Sequence, residues 1–441
     1  MAKEQAPRQE ESPTLEGPGQ SPVAPRIALI GTLDTKGAEI EYVRGRIRAA
    51  GGRAIVIDSG ILGEPGCRAD ITRDRVARAA GSTLDAIAAA GSRGAAVDLM
   101  QRGLQRVVLQ LSEQSLIDGA LCLGGAEGAL MGAAAMQALP LGLPKLVVSP
   151  SASGPRACGP FFGRADILVM HSVVDILGLN PIARAVFDNA VAAVMGMVRT
   201  AGVPVAGLGS RSVGITMLGQ TTQGVMAMID VLEDAGWEPV IFHANGVGGP
   251  AMEDLVATGA LAGVVDFTLS EVANSLFAGV HATDERRLTV AGEHGVPQVV
   301  VPGCTDFFNQ NALDTVPARY RSRPLYKHNP VATLVRLNEA EMNTLGRLIA
   351  HRLNAGKGPV EVLVPTQGFS GIDTAGGPFW NPQADAALTD GLEQDLDPRI
   401  RLQRLANAVN DVAFGRAVAA AFVRLAERSD RRASSELTSE L

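Results

Sequence analysis

Two Rossmann-like α/β domains, each a mainly parallel sheet flanked by helices, with a cleft between them, are the architecture this sequence predicts. Three observations lead there. At 441 residues the chain exceeds the size at which one hydrophobic core keeps growing. Hydrophobic residues make up 46% but aromatics only 4%, a small-residue composition that suits helices laid on sheets. From Arg26 onward, short β-branched runs alternate with alanine-rich segments of helical period, the signature of parallel βαβ units.

In the first half, RIALIG, AIVIDSG, GALCLGG, KLVVSP and ADILVM read as strands. A helix from Asn180 to Val198 follows, with Asn180 as N-cap and Pro181 in the first helical position, where its missing donor costs nothing. It closes an N-terminal domain over residues 26–199. The Gly- and Pro-rich stretch 200–212 lacks periodicity and reads as a linker. VGITMLG, PVIFHANG, VVDFTLS, PQVVVPG and VEVLVPTQG are the strands of a second domain over 213–428, ending in a helix from Asp411 to Arg428. Residues 1–25 mix Pro, Gln, Glu and Ser with no apolar stretch and read as a disordered leader, not a signal peptide. Residues 429–441 are small and charged, a flexible tail.

Charge and motif content exclude several functions. A net charge of -7 offers no cationic field for nucleic acid or anionic lipid. Apolar runs such as Ala190 to Val198 fall short of the roughly 20 residues that span a bilayer, so a cytoplasmic chain is expected. Cys67, Cys122, Cys158 and Cys304 lie far apart without a CxxC, as reduced, buried thiols do. There is no HExxH, no zinc-like Cys or His spacing, no GxSxG, no Walker A loop and no kinase signature.

Four turns at strand ends carry the groups that hold a ligand in open parallel sheets. GTLDTKG, after the first strand, offers Gly31, Thr32, Thr35 and Lys36 to phosphate and Asp34 to magnesium. The plainer reading is a βα turn in which Asp34 or Thr35 caps a helix. GGAEGALMG supplies Gly124, Gly125, Glu127 and Gly128 where a strand opens into a helix, with helix–sheet packing as the alternative. HANGVGGPAMEDL contains a GxGxxA at Gly246, Gly248 and Ala251, with Gly249 beside it. Asp266 stands where a ribose-binding acid falls. GQTTQG presents Thr221 and Thr222 as hydroxyl donors or as helix caps.

Candidate catalytic groups cluster in the second half. Glu271, Asp306, His243 and His328 have the chemistry of general acids or bases, and Arg287 that of a cation stabilising developing negative charge. Each also has a structural role open to it: Glu271 complements a helix dipole, Arg287 solvates a helix face, and Asp306 caps a turn.

IALIGTLDTKGAEIEYV, LCLGGAEGALMGAAAMQALPLGLPKLVVSPSASG and DILGLN occur in that order, followed by VGITMLGQTT, IFHANGVGGPAMEDL, RRLTVAGEHGVPQVVVPGCTDF, YKHNPVATLVRLNEAEM, VLVPTQGFSGID and VNDVAFGRAV. Over residues 26–427 the chain thereby resembles the ATP-binding domain family named after the tomato mosaic virus resistance protein. That resemblance implies a two-domain α/β protein that binds ATP, generally as a homodimer. By motif it assigns Gly31, Thr32, Asp34, Thr35 and Lys36, then Gly124, Gly125 and Gly128, then Gly246, Gly248 and Gly249. Where the family has Ser-Gly-Gly-Thr this chain has Ala126 to Ala129, and Leu288 to Ala291 replaces Leu-Glu-Ala-Ala, so two hydroxyls and one carboxylate are missing. Plant members continue into a barrel domain, which implies a separate barrel-domain partner protein for this chain.

Together these features predict an ATP-binding protein, an ATP-dependent or ATP-regulated enzyme acting on a small polar substrate in the interdomain cleft, with magnesium at Asp34. A non-catalytic nucleotide-sensing protein and an NAD-type dinucleotide enzyme are the alternatives.

Overall fold

The computed structural model describes residues 24–152, 159–200 and 210–439. Most of the leader, positions 201–209 of the linker, Cys158 and the last two residues of the tail lie outside the described residues. The chain forms two compact units: Met1–Leu139, Leu143–Phe161 and Ile167–Ala201 make the first, and Pro140–Gly142, Phe162–Asp166 and Gly202–Leu441 the second.

The first unit is a parallel sheet of β1 (Arg26–Gly31), β2 (Arg53–Asp58), β3 (Gly119–Leu123), β4 (Lys145–Ser149) and β5 (Leu168–His171), in the order β2-β1-β3-β4-β5. Alternate side chains leave opposite faces, so a strand buried on both faces reads as a continuous apolar run. Ile27 and Leu29 of β1, Leu121 and Leu123 of β3, and Leu146 and Val148 of β4 meet the helices Leu33–Ala49 and Pro181–Thr200 on one face. Ile30 and Cys122 face the other, against the helix Ala126–Gln137: a Cβ at Gly132 would stand 2.2 Å from the Cys122 Sγ. The helix Arg93–Glu113 packs on Ala126–Gln137.

Pro181–Thr200 is long and apolar enough to cross a membrane by composition, yet one face of it, Ala183, Phe187, Ala190, Val191, Val194 and Met195, is buried in the unit's core. Its start is as predicted: the Ala183 N–H donates to Asn180 Oδ1 at 2.9 Å.

The second unit adds β6 (Ser212–Met217), β7 (Glu238–His243), β8 (Gly263–Thr268), β9 (Gln298–Gly303), β10 (Phe307–Gln310), β11 (Leu325–Asn329), β12 (Ala332–Arg336), β13 (Val360–Pro365) and β14 (Arg401–Leu405). Six of them form a parallel sheet, β14-β13-β9-β8-β6-β7, and β10-β12-β11 form a small antiparallel sheet. Val299 and Val301 of β9 point to a core with Phe414, Val418 and Phe422, while Val300 points to a core with Leu345, Ile349 and Leu388. β14 and the antiparallel sheet are absent from the sequence-based expectation. The last helix, Val412–Ser439, continues past the point where fraying was expected, with Arg431 bonded back to the Glu427 carbonyl.

Both parallel sheets share one winding. Counted along each unit, the strand order is second, first, third, fourth, fifth, with a sixth at the end of the larger sheet. The chain therefore reverses direction between β1 and β3 and again between β6 and β8, and at such a point two turns diverge and leave a crevice at the carboxyl edge.

Asn180→Ala removes the cap of the helix Pro181–Thr200 and should lower the stability of the first unit by about 1 kcal/mol in urea unfolding. An unchanged midpoint would show that Pro181 alone sets the helix start.

Candidate functional site

At the first reversal the turn after β1 folds directly into the helix Leu33–Ala49, whose path breaks at Lys36 (φ -127°, ψ 18°). Thr32 precedes the helix without a side-chain cap, and its Oγ1 lies 2.9 Å from the Thr35 Oγ1. The capping role open to Asp34 or Thr35 is therefore not filled: both sit inside the first turn. Asp58, ending β2, accepts from the N–H groups of Leu33 (3.1 Å) and Gly60 (2.8 Å) and ties this turn to the next loop. Burial raises the Asp58 pKa, and those two hydrogen bonds work against the shift.

The turn after β3 stands opposite. A Cβ at Gly124 would come within 2.4 Å of the Ala129 N, so packing demands glycine there, whereas Gly125, the helix N-cap, has nothing within 4 Å. A Cβ at Gly128 would stand 3.4 Å from Thr32 Cγ2, which brings the two turns together. Gly31 lies beneath them, close to the Leu123 carbonyl.

Between them opens a cavity of about 880 Å³, within the roughly 300–1,000 Å³ range of small-molecule sites. Thr32, Asp34, Thr35, Lys36, Ser59 and Glu127 line its polar side, and Ile61, Leu62, Ala89, Ala96, Val97 and Met131 its apolar side. Asp34 Oδ1 and Ser59 Oγ are buried, and neither finds a hydrogen-bond partner among the described residues. An orphaned buried acceptor costs free energy comparable to a lost hydrogen bond. Arg93, starting the helix Arg93–Glu113 behind its N-cap Ser92, reaches across to Glu127 Oε2 through Nε (2.8 Å) and Nη2 (2.5 Å). Arg93 and Ser59 were missed in the sequence; their signals were a capping serine before Arg93 and a hydroxyl at a strand's carboxyl end.

Among the described residues no group of three or more His, Cys, Asp or Glu side chains is arranged to hold a metal ion. A magnesium ion at Asp34 would therefore complete its shell with hydroxyls, ligand phosphate oxygens and water, as this hard, strongly hydrated cation ordinarily does.

The second unit's turns end differently. Glu271 Oε1 accepts from the N–H groups of Gly246 (2.9 Å) and Gly249 (3.1 Å), so the glycine turn carries its own carboxylate where a pyrophosphate would bind. A Cβ on Gly248 would come within 2.1 Å of the His243 carbonyl, so that glycine is required by the fold. Thr221 Oγ1 bonds Thr268 Oγ1 (2.8 Å) and the Leu218 carbonyl, and Thr222 Oγ1 bonds the carbonyls of Leu218 and Gly219.

Glu271 and Arg287 do meet, in a network with no exposed side-chain surface on either. Arg287 Nε bonds Glu271 (2.9 Å), Nη2 bonds Asp266 (2.5 Å) and Nη1 faces Glu253 (3.4 Å). Burial works against the guanidinium charge, but Asp266, Glu253 and Glu271 outweigh it and raise the Arg287 pKa well above its ordinary value. Asp266, the expected ribose acid, is spent on Arg287 and on Gln298 (2.7 Å). His243 and His328 lie near His281, whose pKa is lowered by burial and by those two neighbouring charges.

Asp306 belongs to another buried group. It accepts from Ser370 Oγ (2.9 Å), while Arg336 bonds Asp385 (2.8 Å) and stands 3.6 Å from Asp373. One cation thus serves three buried carboxyls, each with one oxygen lacking a hydrogen bond. Burial, then the Asp373 charge, pushes Asp306 up to about 7 and Asp385 to about 8.

The comparisons with known proteins cover both units. Residues 25–202 match the N-terminal domain of the Uncharacterised protein family (UPF0261), and residues 210–426 its C-terminal domain. A UPF0261 protein of Clostridium tetani is 36% identical over 404 residues, covering 91% of this chain and 99% of that one. A UPF0261 protein of Rhizobium meliloti is 38% identical over 400 residues, 90% of this chain and 98% of that one. The ToMV resistance protein Tm-1(GCR237) of Solanum lycopersicum is 31% identical over 427 residues, which is 92% of this chain but 56% of the tomato protein.

Two predictions follow from the buried charges. Arg287→Met leaves three carboxylates facing one another and should cost about 3–5 kcal/mol in denaturant unfolding; a loss below about 1 kcal/mol would show that the network is not structural. Asp306 and Asp385 keep their protons in the folded chain to higher pH than the ordinary 3.8. The folded form therefore binds more protons between those limits. Stability from this group, complete below 3.8, should fall as pH rises and level off above about 8. Asp385→Asn should flatten that slope between about pH 5.5 and 8.5, and an equal slope in variant and wild type would remove Asp385 as its source.

Proposed function

This chain belongs to the UPF0261 family, and we propose that its first unit binds ATP in the cavity between the turns after β1 and β3. One observation carries the reading: two glycine turns on either side of the strand-order reversal meet over a cavity whose polar end holds two unpartnered buried oxygens and whose other side is aliphatic. A polar end beside an apolar wall matches an amphipathic ligand, phosphates at one end and a flat base at the other.

In this assignment the phosphates lie against Thr32, Thr35 and Lys36 and the first turn of the helix Ala126–Gln137, whose N–H groups and dipole favour an anion. Asp34 would hold magnesium, which would supply positive charge to neutralise the phosphates. The base rests among Ile61, Leu62, Val97 and Met131. The protein works in the cytoplasm as a homodimer, with a small polar substrate or a barrel-domain partner completing an ATP-dependent or ATP-regulated reaction.

A second reading, nucleotide sensing without bond breaking, is favoured by one fact: Glu271 and Arg287, the acid and cation that the sequence offers for chemistry, have no exposed surface and bind each other. NAD binding at the GxGxxA turn is disfavoured, since Glu271 occupies its N–H groups and Arg287 its acid.

Isothermal titration of the whole chain with ATP and magnesium should give saturable binding, and Asp34→Asn should weaken it about tenfold, the loss expected for one charge-assisted contact. Absence of binding in the wild type sinks the proposal. Phosphate release under the same conditions selects the enzyme over the sensor.

A further inference from the structure

Glu127 stands in the first turn of the helix Ala126–Gln137, where the helix dipole favours a negative charge and where the nucleotide reading above puts phosphate. Its partner, Arg93, starts a second helix on the rim of the same cavity. Their pairing uses a single oxygen: Glu127 Oε2 takes both Nε and Nη2 of Arg93, so the two-pronged match that guanidinium makes with phosphate goes unused. Both side chains are accessible, Arg93 82% and Glu127 47% exposed, and an ion pair this exposed contributes little. The second unit provides the contrast, since there Glu271 sits on a glycine turn with no exposed surface, locked by Arg287.

We infer that Arg93 is the cation that receives the ligand's phosphate, and that Glu127 is an exchangeable counter-ion which phosphate displaces from it. The cavity's polar side carries Lys36 and Arg93 against Asp34 and Glu127, so its charge is balanced from within. A phosphorylated ligand gains Arg93 only by taking Glu127's place, and Glu127 sets the affinity by competing. Ligands without phosphate meet neither residue. This inference rests on the nucleotide reading and concerns which side chains select the anionic end.

Titration of the full-length wild type, Arg93→Gln, Glu127→Gln and the double variant with magnesium-ATP and with adenosine tests it. Arg93→Gln should weaken ATP about tenfold or more and leave adenosine within about twofold. Glu127→Gln should tighten ATP, and that gain should shrink in the double variant, because no guanidinium remains to be released. Both positions are exposed, and circular dichroism checks that the variants are folded. ATP affinity unchanged in Arg93→Gln, or an equal gain from Glu127→Gln with and without Arg93, overturns the exchange while the nucleotide reading stands. A wild type that binds neither ATP nor adenosine overturns both.

Discussion

The reversal of strand order within each parallel sheet is the constraint on which the rest depends. Right-handed crossovers force the helices after the first and third strands of a unit onto opposite faces. Their turns part at the carboxyl edge and leave a crevice there. In the first unit that gap is flanked by β1 and β3, which is why GTLDTKG and GGAEG, far apart in sequence, bring Thr32 and Gly128 into contact distance.

The second unit's glycine turn follows β7, beside the reversal between β6 and β8 rather than at it, and electrostatics fills it. A glycine turn opening a helix presents free N–H groups that require an acceptor. Glu271 supplies one internally, and its charge is balanced by Arg287, which in turn satisfies Asp266 and Glu253. Such a cluster gains little over apolar packing, yet it collapses if one member is removed. In the first unit the ion pair at the cavity rim lies in solvent instead. Two motifs of similar composition thereby divide into one that is filled by the protein and one that borders an open cavity.

The carboxyls around Arg336 extend the principle. Asp306, Asp373 and Asp385 come from the segment after β9, the loop after β13 and the helix Pro382–Asp395, so their shared cation ties three connections of the carboxyl edge together. With one guanidinium for three acids, burial raises the pKa of each, and neighbouring carboxylates add to the shift at Asp306 and Asp385.

Period and punctuation in the sequence determined the parallel strands, the capped helix at Asn180 and the two-unit α/β class, because continuous apolar runs and helical spacing are local consequences of burial on both faces. β14 and the antiparallel sheet escaped because RLQRL and LYKHN are half-exposed and carry a weak apolar signal. The four glycine turns were legible as turns, and the order of β1 and β3 then decided that two of them would meet. Whether an acid or a cation faces a ligand or another side chain is not a property of its own neighbours in the chain: Glu271 and Glu127 both lie in the first turn of a helix, and only the arginine that each meets, buried in one case and exposed in the other, separates them. That choice belongs to tertiary structure, since the free energy of a charge depends on the solvent and counter-charges around it and not on its position in the sequence.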